Sequence, residues 1–278
     1  MLADAVACLV CPRCGAPLVE APGTLSCSEG HSFDVARQGY VNLLPGGARP
    51  GTADTPAMVS AREAFLAAGH YDPIASAVIR AINGADPARG CVIDIGAGTG
   101  QHLARVLDAF PDGTGIALDI SKHALKRAAR AHPRAAAIVC DVWAPLPIRT
   151  ASVAVILDVF APRNATEFHR VLAPDGVLVV VTPTERHLRE LVVALGLLSV
   201  DGDKRERLDE KLDGLFSAFD EFEVEWPLSL ARAEVAAAVA MGPSARHLDA
   251  AELAADLDGM AEPVAVTASV SVRSFRPI

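Results

Sequence analysis

A glycine-rich segment, Asp94-Ile-Gly96-Ala-Gly98-Thr-Gly100, constrains the fold of this 278-residue chain more than any other feature. It follows a short apolar run at 91–95 and precedes a segment, 103–110, whose apolar side chains recur at helical spacing. The glycines let the backbone approach a ligand closely where a strand turns into a helix. The pattern D-x-G-x-G-x-G differs from the dinucleotide fingerprint G-x-G-x-x-G, because Gln101 occupies the place of the third glycine.

Strand-like and helix-like segments alternate from about residue 90 onward. This alternation predicts a parallel sheet covered by helices on both faces, with ligands at the carboxyl ends of its strands. Near the C-terminus, alternating apolar positions predict two antiparallel strands at a sheet edge, and 208–219 has the spacing of an amphipathic helix. We therefore expect an α/β fold with a seven-stranded Rossmann-like sheet. The predicted strands are 91–95, 115–120, 135–140, 152–160, 177–181, 221–230 and 264–275.

Two acidic residues stand at the ends of neighbouring predicted strands. Asp119 ends the second strand, where a carboxylate can accept hydrogen bonds from both hydroxyls of a ribose. Asp141 follows the third strand, where an acidic side chain can receive an adenine amino group. An oxidoreductase places a pyrophosphate at the helix N-terminus, whereas a methyl donor places an amino acid there. The pattern favours S-adenosylmethionine, bound by the glycine motif (Asp94, Gly96, Gly98, Gly100), Asp119 and Asp141.

Four of the six cysteines lie within the first 27 residues. Cys11 and Cys14 form a CxxC knuckle, and Cys27 with His31 supplies a second pair of groups that zinc favours. A segment of about forty residues buries too little apolar surface to fold without such support. The alternatives are a disulfide, which a reducing compartment disfavours, and a redox CxxC, which lacks its usual βαβ context. We predict a zinc site in this segment, with Cys8 as a spare thiol.

The net charge of −9 argues against a surface that binds nucleic acid uniformly, because phosphate contacts require clustered cations. One local candidate exists: Lys122, Lys126, Arg130 and Arg134 recur every four residues along a predicted helix. Pro133 predicts that this helix ends near Arg130, so that Arg134 lies beyond it. The face is either an RNA contact or simply a solvated helix surface.

Three regions are expected: a zinc-binding module at 1–45, a linker and helical segment at 46–85, and a catalytic domain at 86–278. The chain has no apolar run long enough to cross a membrane. Its N-terminus lacks the basic segment and apolar core of a signal peptide. We therefore expect a cytoplasmic protein with no membrane partner.

Several stretches resemble the bacterial 23S rRNA guanine-N1-methyltransferases that act on hairpin 35, a family that includes the tylosin-resistance methyltransferases of actinomycetes. The resemblance implies a class I methyltransferase domain, S-adenosylmethionine and zinc as cofactors, and a homodimer whose groove receives the 23S rRNA hairpin. It also suggests macrolide resistance as a phenotype. The shared stretches run almost the whole length and include CPRCGAPL, HSFDVARQGYVNLLP, AREAFLAAGHYDPI, VIDIGAGTG, VFAPRNATEFHRVLAPDG and TPTERHLREL.

The same resemblance assigns roles to particular residues. It implies that Tyr71, Gly98 with Thr99, and His187 contact the methyl donor. It implies that Cys11, Cys14, Cys27 and His31 bind zinc, and that the zinc module recognises RNA beside the donor site. In the shared VARQGYVNLL stretch, Arg37, Tyr40 and Asn42 are either RNA contacts or packing residues.

Guanine N1 carries a proton that must leave during methylation, so a general base is expected near the acceptor. Asp158, at the end of the fourth predicted strand, is the candidate, with a structural role as its alternative. Phe160 can stack on a base that has left its loop. Two other functions fit the sequence less well. They are methylation of a small molecule, suggested by the acidic charge, and RNA binding without catalysis by a decayed donor site.

Overall fold

The computed structural model describes residues 2–45, 53–82, 90–198, 204–242, 245 and 250–278. In this part of the chain the strands are β1 (Val19–Ala21), β2 (Thr24–Ser26), β3 (Ser32–Asp34), β4 (Tyr40–Asn42), β5 (Cys91–Ile95), β6 (Thr114–Asp119), β7 (Ala135–Val139), β8 (Val153–Val159), β9 (Leu172–Pro183), β10 (Phe216–Leu230) and β11 (Val264–Pro277). The α-helices are α1 (Leu2–Ala5), α2 (Pro56–Ala67), α3 (Asp72–Ala81), α4 (Gln101–Ala109), α5 (Lys122–Ala131), α6 (Ala165–Val171), α7 (Arg189–Ala194), α8 (Lys204–Leu212), α9 (Arg232–Ala240) and α10 (Ala250–Asp258). A 3₁₀ turn, Val6–Cys8, follows α1.

One sheet organises the molecule, with strand order β10-β11-β9-β8-β5-β6-β7-β4. The strands from β9 to β4 run parallel, and β11 pairs antiparallel with both β9 and β10. All seven predicted strands are present, which confirms the expected α/β fold. The strand order reverses at β5, so the crevice for a ligand lies at the carboxyl ends of β5, β6 and β8.

An eighth strand, β4, comes from the N-terminal segment and was not predicted. The antiparallel strands β1, β2 and β3 form a small separate sheet, whereas β4 pairs in parallel with β7. Tyr40 lies opposite Ala137, and Asn42 lies opposite Val139. The N-terminal segment therefore completes one edge of the catalytic sheet.

Apolar side chains cover both faces of the sheet. One face packs against α2–α5 and α9, and the other packs against the N-terminal segment and α6. Leu9 and Leu25 of the N-terminal segment are fully buried in the same cluster as Ile93 and Ile138. Complete burial of a leucine contributes about 1.5–3 kcal/mol, so these contacts attach the segment firmly to the sheet.

Two sequence predictions need adjustment. The helix predicted at 208–219 ends at Leu212, because Gly214 takes a left-handed conformation (φ 70°) and the chain enters β10 at Phe216. Arg134 lies beyond α5, as expected, but it has a structural role. Its guanidinium donates to the carbonyls of Phe110 (2.8 Å), Gly113 (2.5 Å) and Leu107, which lie at the C-terminal end of α4. None of the described helices is long and apolar enough to cross a membrane.

Candidate functional site

The glycine segment forms the turn between β5 and α4, at the carboxyl edge of the sheet. Gly96, Gly98 and Gly100 all have positive φ, at 63°, 55° and 80°, a region that side chains disfavour. A methyl group on Gly100 would lie 3.0 Å from the Cα and Cβ atoms of Ala128 in α5. These positions therefore require glycine for both backbone conformation and helix packing.

Asp119, at the end of β6, holds this turn in place. Its Oδ2 accepts a hydrogen bond from the Gly98 amide (2.8 Å), and its Oδ1 accepts one from the Ser121 amide (2.7 Å). Burial raises the pKa of Asp119, and the two backbone hydrogen bonds partly oppose that effect. Each carboxylate oxygen keeps a further lone pair, so the group can still accept the hydroxyls of a ribose.

Tyr71 and His187 meet across the crevice although they lie far apart in the chain. Tyr71 Oη is 2.9 Å from His187 Nε2, and His187 Nδ1 accepts a hydrogen bond from the Ser269 amide (3.1 Å). Because Nδ1 is an acceptor, the proton of the neutral ring is on Nε2 and is donated to Tyr71. The hydroxyl proton of Tyr71 is then available to donate to a ligand.

Phe160 completes an aromatic wall with these two residues. Its ring centroid lies 5.7 Å from that of His187 and 6.2 Å from that of Tyr71. The residue takes a left-handed conformation (φ 56°) directly after β8, and its side chain is 40% exposed. A strained bulky residue that presents a ring to solvent is suited to stacking on a planar ligand.

Asp94 and Thr99 supply buried polar atoms that lack partners. Asp94 is 2% exposed and Thr99 is 3% exposed, and neither Asp94 Oδ2 nor Thr99 Oγ1 has a hydrogen-bond partner within the described residues. Burial raises the pKa of Asp94 well above its usual range, and the charges of Asp119 and Asp158 add to the shift. Such orphaned groups beside a glycine turn fit a site built for a polar ligand.

Asp158 lies on β8 next to this crevice and is fully buried. Arg163 Nη2 is 3.1 Å from its Oδ1, and its Oδ2 has no hydrogen-bond partner within the described residues. Burial raises the pKa of Asp158 to about 7, while the nearby Arg163 charge limits the shift. Burial thus favours the protonated form of this carboxyl group well above the pH at which an exposed aspartate ionises.

Asp141 follows β7 at the same edge of the sheet. Its Oδ1 accepts a hydrogen bond from the Trp143 amide (3.0 Å), and its side chain is partly exposed. Cys140, beside it, donates its amide to the Asp119 carbonyl (3.1 Å) and so links the ends of β6 and β7. The two acidic groups predicted at strand ends therefore lie on adjacent strands.

Arg62 of α2 is a site residue that the sequence did not indicate. Its Nη1 would lie 3.1 Å from a methyl group on Gly98, so the side chain covers the glycine turn. It forms an ion pair with Asp54 (2.9 Å) and donates to the Met241 carbonyl (2.9 Å). Arginine on an amphipathic helix usually faces solvent, and only the fold brings this one over the turn.

Cys11, Cys14, Cys27 and His31 form a second site in the N-terminal segment. Their ligand atoms all lie within 4.8 Å of one another. Cys14 Sγ is 3.7 Å from Cys27 Sγ, and His31 Nδ1 is 3.5 Å from the sulfurs of Cys11 and Cys27. Tetrahedral zinc at normal bond lengths gives about 3.8 Å between two sulfurs and about 3.6 Å between sulfur and nitrogen.

These three separations thus match edges of a tetrahedron around zinc, and the remaining three do not exceed 4.8 Å. A disulfide requires sulfurs about 2.05 Å apart, so the thiols are not paired in that way. Cys8 lies outside the cluster, as predicted. Its Sγ and that of Cys91 approach the same Ser152 carbonyl, at 3.8 and 3.7 Å, and a hydrogen bond with Cys91 lowers the pKa of Cys8.

Two family models match the chain. Residues 9–49 match a zinc-ribbon model described as "RlmA, N-terminal", and residues 92–176 match one described as "Methyltransferase domain". The zinc ribbon contains the Cys3His cluster, and the methyltransferase match contains the glycine turn and the acidic strand ends. The cofactors are therefore S-adenosylmethionine and zinc.

Relatives match over the full length. The chain is 50% identical over 287 residues to the "23S rRNA (guanine(748)-N(1))-methyltransferase" of Streptomyces fradiae, with 100% of both chains covered. It is 53% identical over 288 residues to a Micromonospora griseorubida protein named "Putative 23S rRNA (guanine-N(1)-)-methyltransferase", with 97% of each covered. A solved structure described as "Complex between the Haloferax volcanii Trm112 methyltransferase activator and the putative methyltransferase" matches with a TM-score of 0.51 and 16% identity. It covers 80% of this chain and 96% of that one, and it supports the fold alone.

Proposed function

The chain belongs to the 23S rRNA (guanine-N1)-methyltransferase family, and from that premise we propose that its target is guanine 748 in hairpin 35 of 23S rRNA. The observation that carries this proposal is the 50% identity to the Streptomyces fradiae enzyme, without truncation of either chain. The target nucleotide follows from the name of that relative. The expected macrolide resistance, cytoplasmic location and homodimer belong to the same proposal.

We infer the following division of work at the donor site. S-adenosylmethionine supplies an electrophilic methyl group on a positively charged sulfur. Asp119 accepts hydrogen bonds from the ribose hydroxyls, and Asp141 accepts one from the adenine amino group. Tyr71 would donate a hydrogen bond from its hydroxyl to the carboxylate of the donor, since His187 already donates a hydrogen bond to that hydroxyl oxygen. Asp94, Gly96, Gly98, Thr99 and Gly100 provide the turn against which the amino-acid part lies.

We propose that Asp158 takes the proton from guanine N1 while Phe160 stacks on the extruded base. Asp158 would accept the N1 proton as the guanine gains the methyl group that bound S-adenosylmethionine would supply. The Asp158 pKa of about 7 suits this transfer at neutral pH. Since Asp158 is fully buried, the side chains around it would have to move for the guanine to reach it.

Zinc has no chemical part in this scheme and holds the N-terminal module through Cys11, Cys14, Cys27 and His31. We propose that residues 1–45 act as the RNA-recognition module and residues 86–278 as the catalytic domain, joined by 46–85. Both proposed boundaries fall within residues 46–52 and 83–89, which lie outside the described residues.

Methyl transfer from a labelled donor to an unmodified 23S transcript tests the proposal, with primer extension to locate the modified base. A stop at guanine 748 is the expected result, and labelling at another nucleotide would overturn the assignment of the target. Gel filtration with light scattering reports the oligomeric state. Growth of an expressing strain on tylosin reports the resistance phenotype.

Asp158→Asn tests the base. We expect methyl transfer to fall at least about 100-fold while the Kd values for donor and RNA stay within about twofold, because general-base catalysis contributes about 10²–10⁴-fold. Asp158→Glu should restore part of the activity. Retained activity in Asp158→Asn would show that Asp158 is structural, and the assignment of the family would be unaffected.

A further inference from the structure

A cavity of about 770 Å³ lies beside the glycine turn, between helices α2 and α3 on one side and α4 and α5 on the other. It meets the donor site only through Tyr71 and Thr99, and it does not include Asp119, Asp141 or Asp158. Thr99 Oγ1, a buried group without a partner among the described residues, belongs to its wall. Binding of the methyl donor therefore does not account for this groove.

The lining of the groove holds four Lys or Arg side chains and three acidic side chains. Arg105 pairs with Asp72 (3.2 Å), and Arg127 pairs with Glu63 (3.1 Å). By contrast, Lys126 and Arg130 of α5 form no ion pair in the part of the chain that the structure describes. Asp108, the third acidic residue of the lining, lies next to His132 at 3.4 Å.

Other side chains of α5 add positive charge beside Lys126 and Arg130. Lys122, one turn before Lys126, is exposed on the same helix face. The pKa of His123 is lowered, first by partial burial and then by the positive charges of Lys126, Lys122 and Arg127. A positive potential thus accumulates along α5 in a protein whose net charge is −9.

The zinc-bearing segment extends this surface. Its turn at 36–39 closes with a hydrogen bond from the Gly39 amide to the Ala36 carbonyl (2.7 Å), and Gly39 packs against Ala129 of α5. Gln38 lines the groove, and Arg37 beside it is exposed. Tyr40 instead packs against the core, and Asn42 Oδ1 accepts from the Leu44 amide (3.1 Å), so those two residues serve local structure.

We propose that the α4–α5 groove binds the sugar–phosphate backbone of the RNA substrate, with Lys126 and Arg130 contacting phosphates and Gln38 hydrogen-bonding to phosphate or ribose. The inference rests on the proposed function, since it names the surface that the RNA uses. Phosphate contacts fix the position of a nucleic acid without reading its sequence. A strand in the groove would lie beside Tyr71, whose ring centroid is 6.2 Å from that of Phe160, so one nucleotide can reach the proposed acceptor position while its neighbours stay bound.

The test uses the full-length, zinc-loaded protein and a hairpin 35 transcript, with Kd measured over a series of salt concentrations. Each phosphate contact adds about 0.7–0.9 to the slope of log K against log salt. We expect Lys126→Gln/Arg130→Gln to lower that slope by about 1.4–1.8. The KM for RNA should rise at least about tenfold at moderate salt, while kcat and the Kd for the methyl donor stay unchanged.

Two control variants make the result specific. Arg205→Gln/Arg276→Gln also removes two positive charges, but from α8 and β11, and should leave the slope unchanged. Lys126→Arg/Arg130→Lys keeps both charges and should retain the parental slope, which separates charge from fold. A parental slope in the double glutamine variant would overturn the groove assignment, even where the parent protein methylates RNA normally. Failure of the parent to methylate the transcript would instead overturn the proposed function.

Discussion

Asp158, the proposed general base, also affects the stability of the fold. Its pKa is raised from 3.8 to about 7, so between these values the folded protein holds a proton that the unfolded chain has lost. As the pH rises through this window, the free energy of unfolding therefore falls by up to about 1.4 kcal/mol for each pH unit, and by up to about 4 kcal/mol in total. Above neutral pH, the buried, charged carboxylate therefore destabilises the folded protein.

Asp158→Asn should remove this destabilisation. We expect the variant to be about 1–3 kcal/mol more stable than the parent at pH 8, because Arg163 without its partner offsets part of the gain. At pH 4 the two proteins should unfold alike. Urea denaturation at both pH values measures the difference, and an equal change at pH 4 and pH 8 would refute the shifted pKa.

Tyr71→Phe tests the hydroxyl that His187 orients. A hydrogen bond between neutral and charged groups contributes about 1.5–3 kcal/mol, so the Kd for S-adenosylmethionine should rise about 10- to 100-fold. The chain has only two tyrosines, which makes Tyr40→Phe a matched control with an unchanged Kd. Calorimetry of donor binding measures both, and equal affinities would rule out a contact with Tyr71.

At this scale the sequence predicts residue types better than their contacts. The glycine motif predicted the glycine turn, because all the residues of the pattern D-x-G-x-G-x-G lie within one short segment of the chain. Tyr71 and His187 were indicated only by resemblance, since their hydrogen bond joins residues 116 positions apart. The cover that Arg62 provides over Gly98 has no local pattern, because it depends on packing between elements that are distant in the chain. Asp158 and Arg163 are close in the chain, but the sequence alone does not show that Asp158 is fully buried.

The elements around the donor turn depend on close helix packing. Gly100→Ala should destabilise the protein by about 2–3 kcal/mol, since alanine at φ 80° is strained and its methyl group would meet Ala128 at 3.0 Å. Gly196→Ala is the control, because Gly196 also has a positive φ (59°) but no atom within 4 Å of the added methyl group. That variant should lose only about 1–2 kcal/mol, so similar losses in chemical denaturation would contradict a packing role.

Cys27 and His31 lie between strands β2 and β3, whereas Cys11 and Cys14 lie before β1. Cys27→Ser should abolish stoichiometric zinc, measured by atomic emission, and raise protease cleavage within residues 2–45. Cys8→Ser should keep one zinc ion per chain, because Cys8 lies outside the cluster. Loss of zinc in Cys8→Ser would require a different set of ligands.

Element boundaries were predicted well where the pattern is periodic. The parallel strands, buried on both faces, were found within one or two residues for β5, β6 and β7. Strand β4 was missed, because three residues carry too little periodicity and its partner β7 is remote in sequence.

At the scale of the whole molecule, the N-terminal segment and the catalytic sheet pack together. Strand β4 covers the β7 edge, and buried leucines of the N-terminal segment share a cluster with the sheet. Removing residues 2–45 should therefore expose an unpaired strand edge and apolar surface, so that the remainder aggregates. Light scattering of the truncated protein measures this, and a monodisperse truncated chain that binds S-adenosylmethionine would contradict it.

The pairing of β4 with β7 also sets an order of events during synthesis. Asn42 finds its partner Val139 only after about a hundred further residues have been made, a delay of about 5–20 s at typical rates of translation. Throughout that interval the small N-terminal sheet has no large apolar core to pack against. If zinc binds early, it would keep the N-terminal segment folded, so that strand β4 could pair with β7 once the rest of the sheet has been synthesised. Zinc supply would then govern the yield of new enzyme, even though the metal takes no part in the reaction.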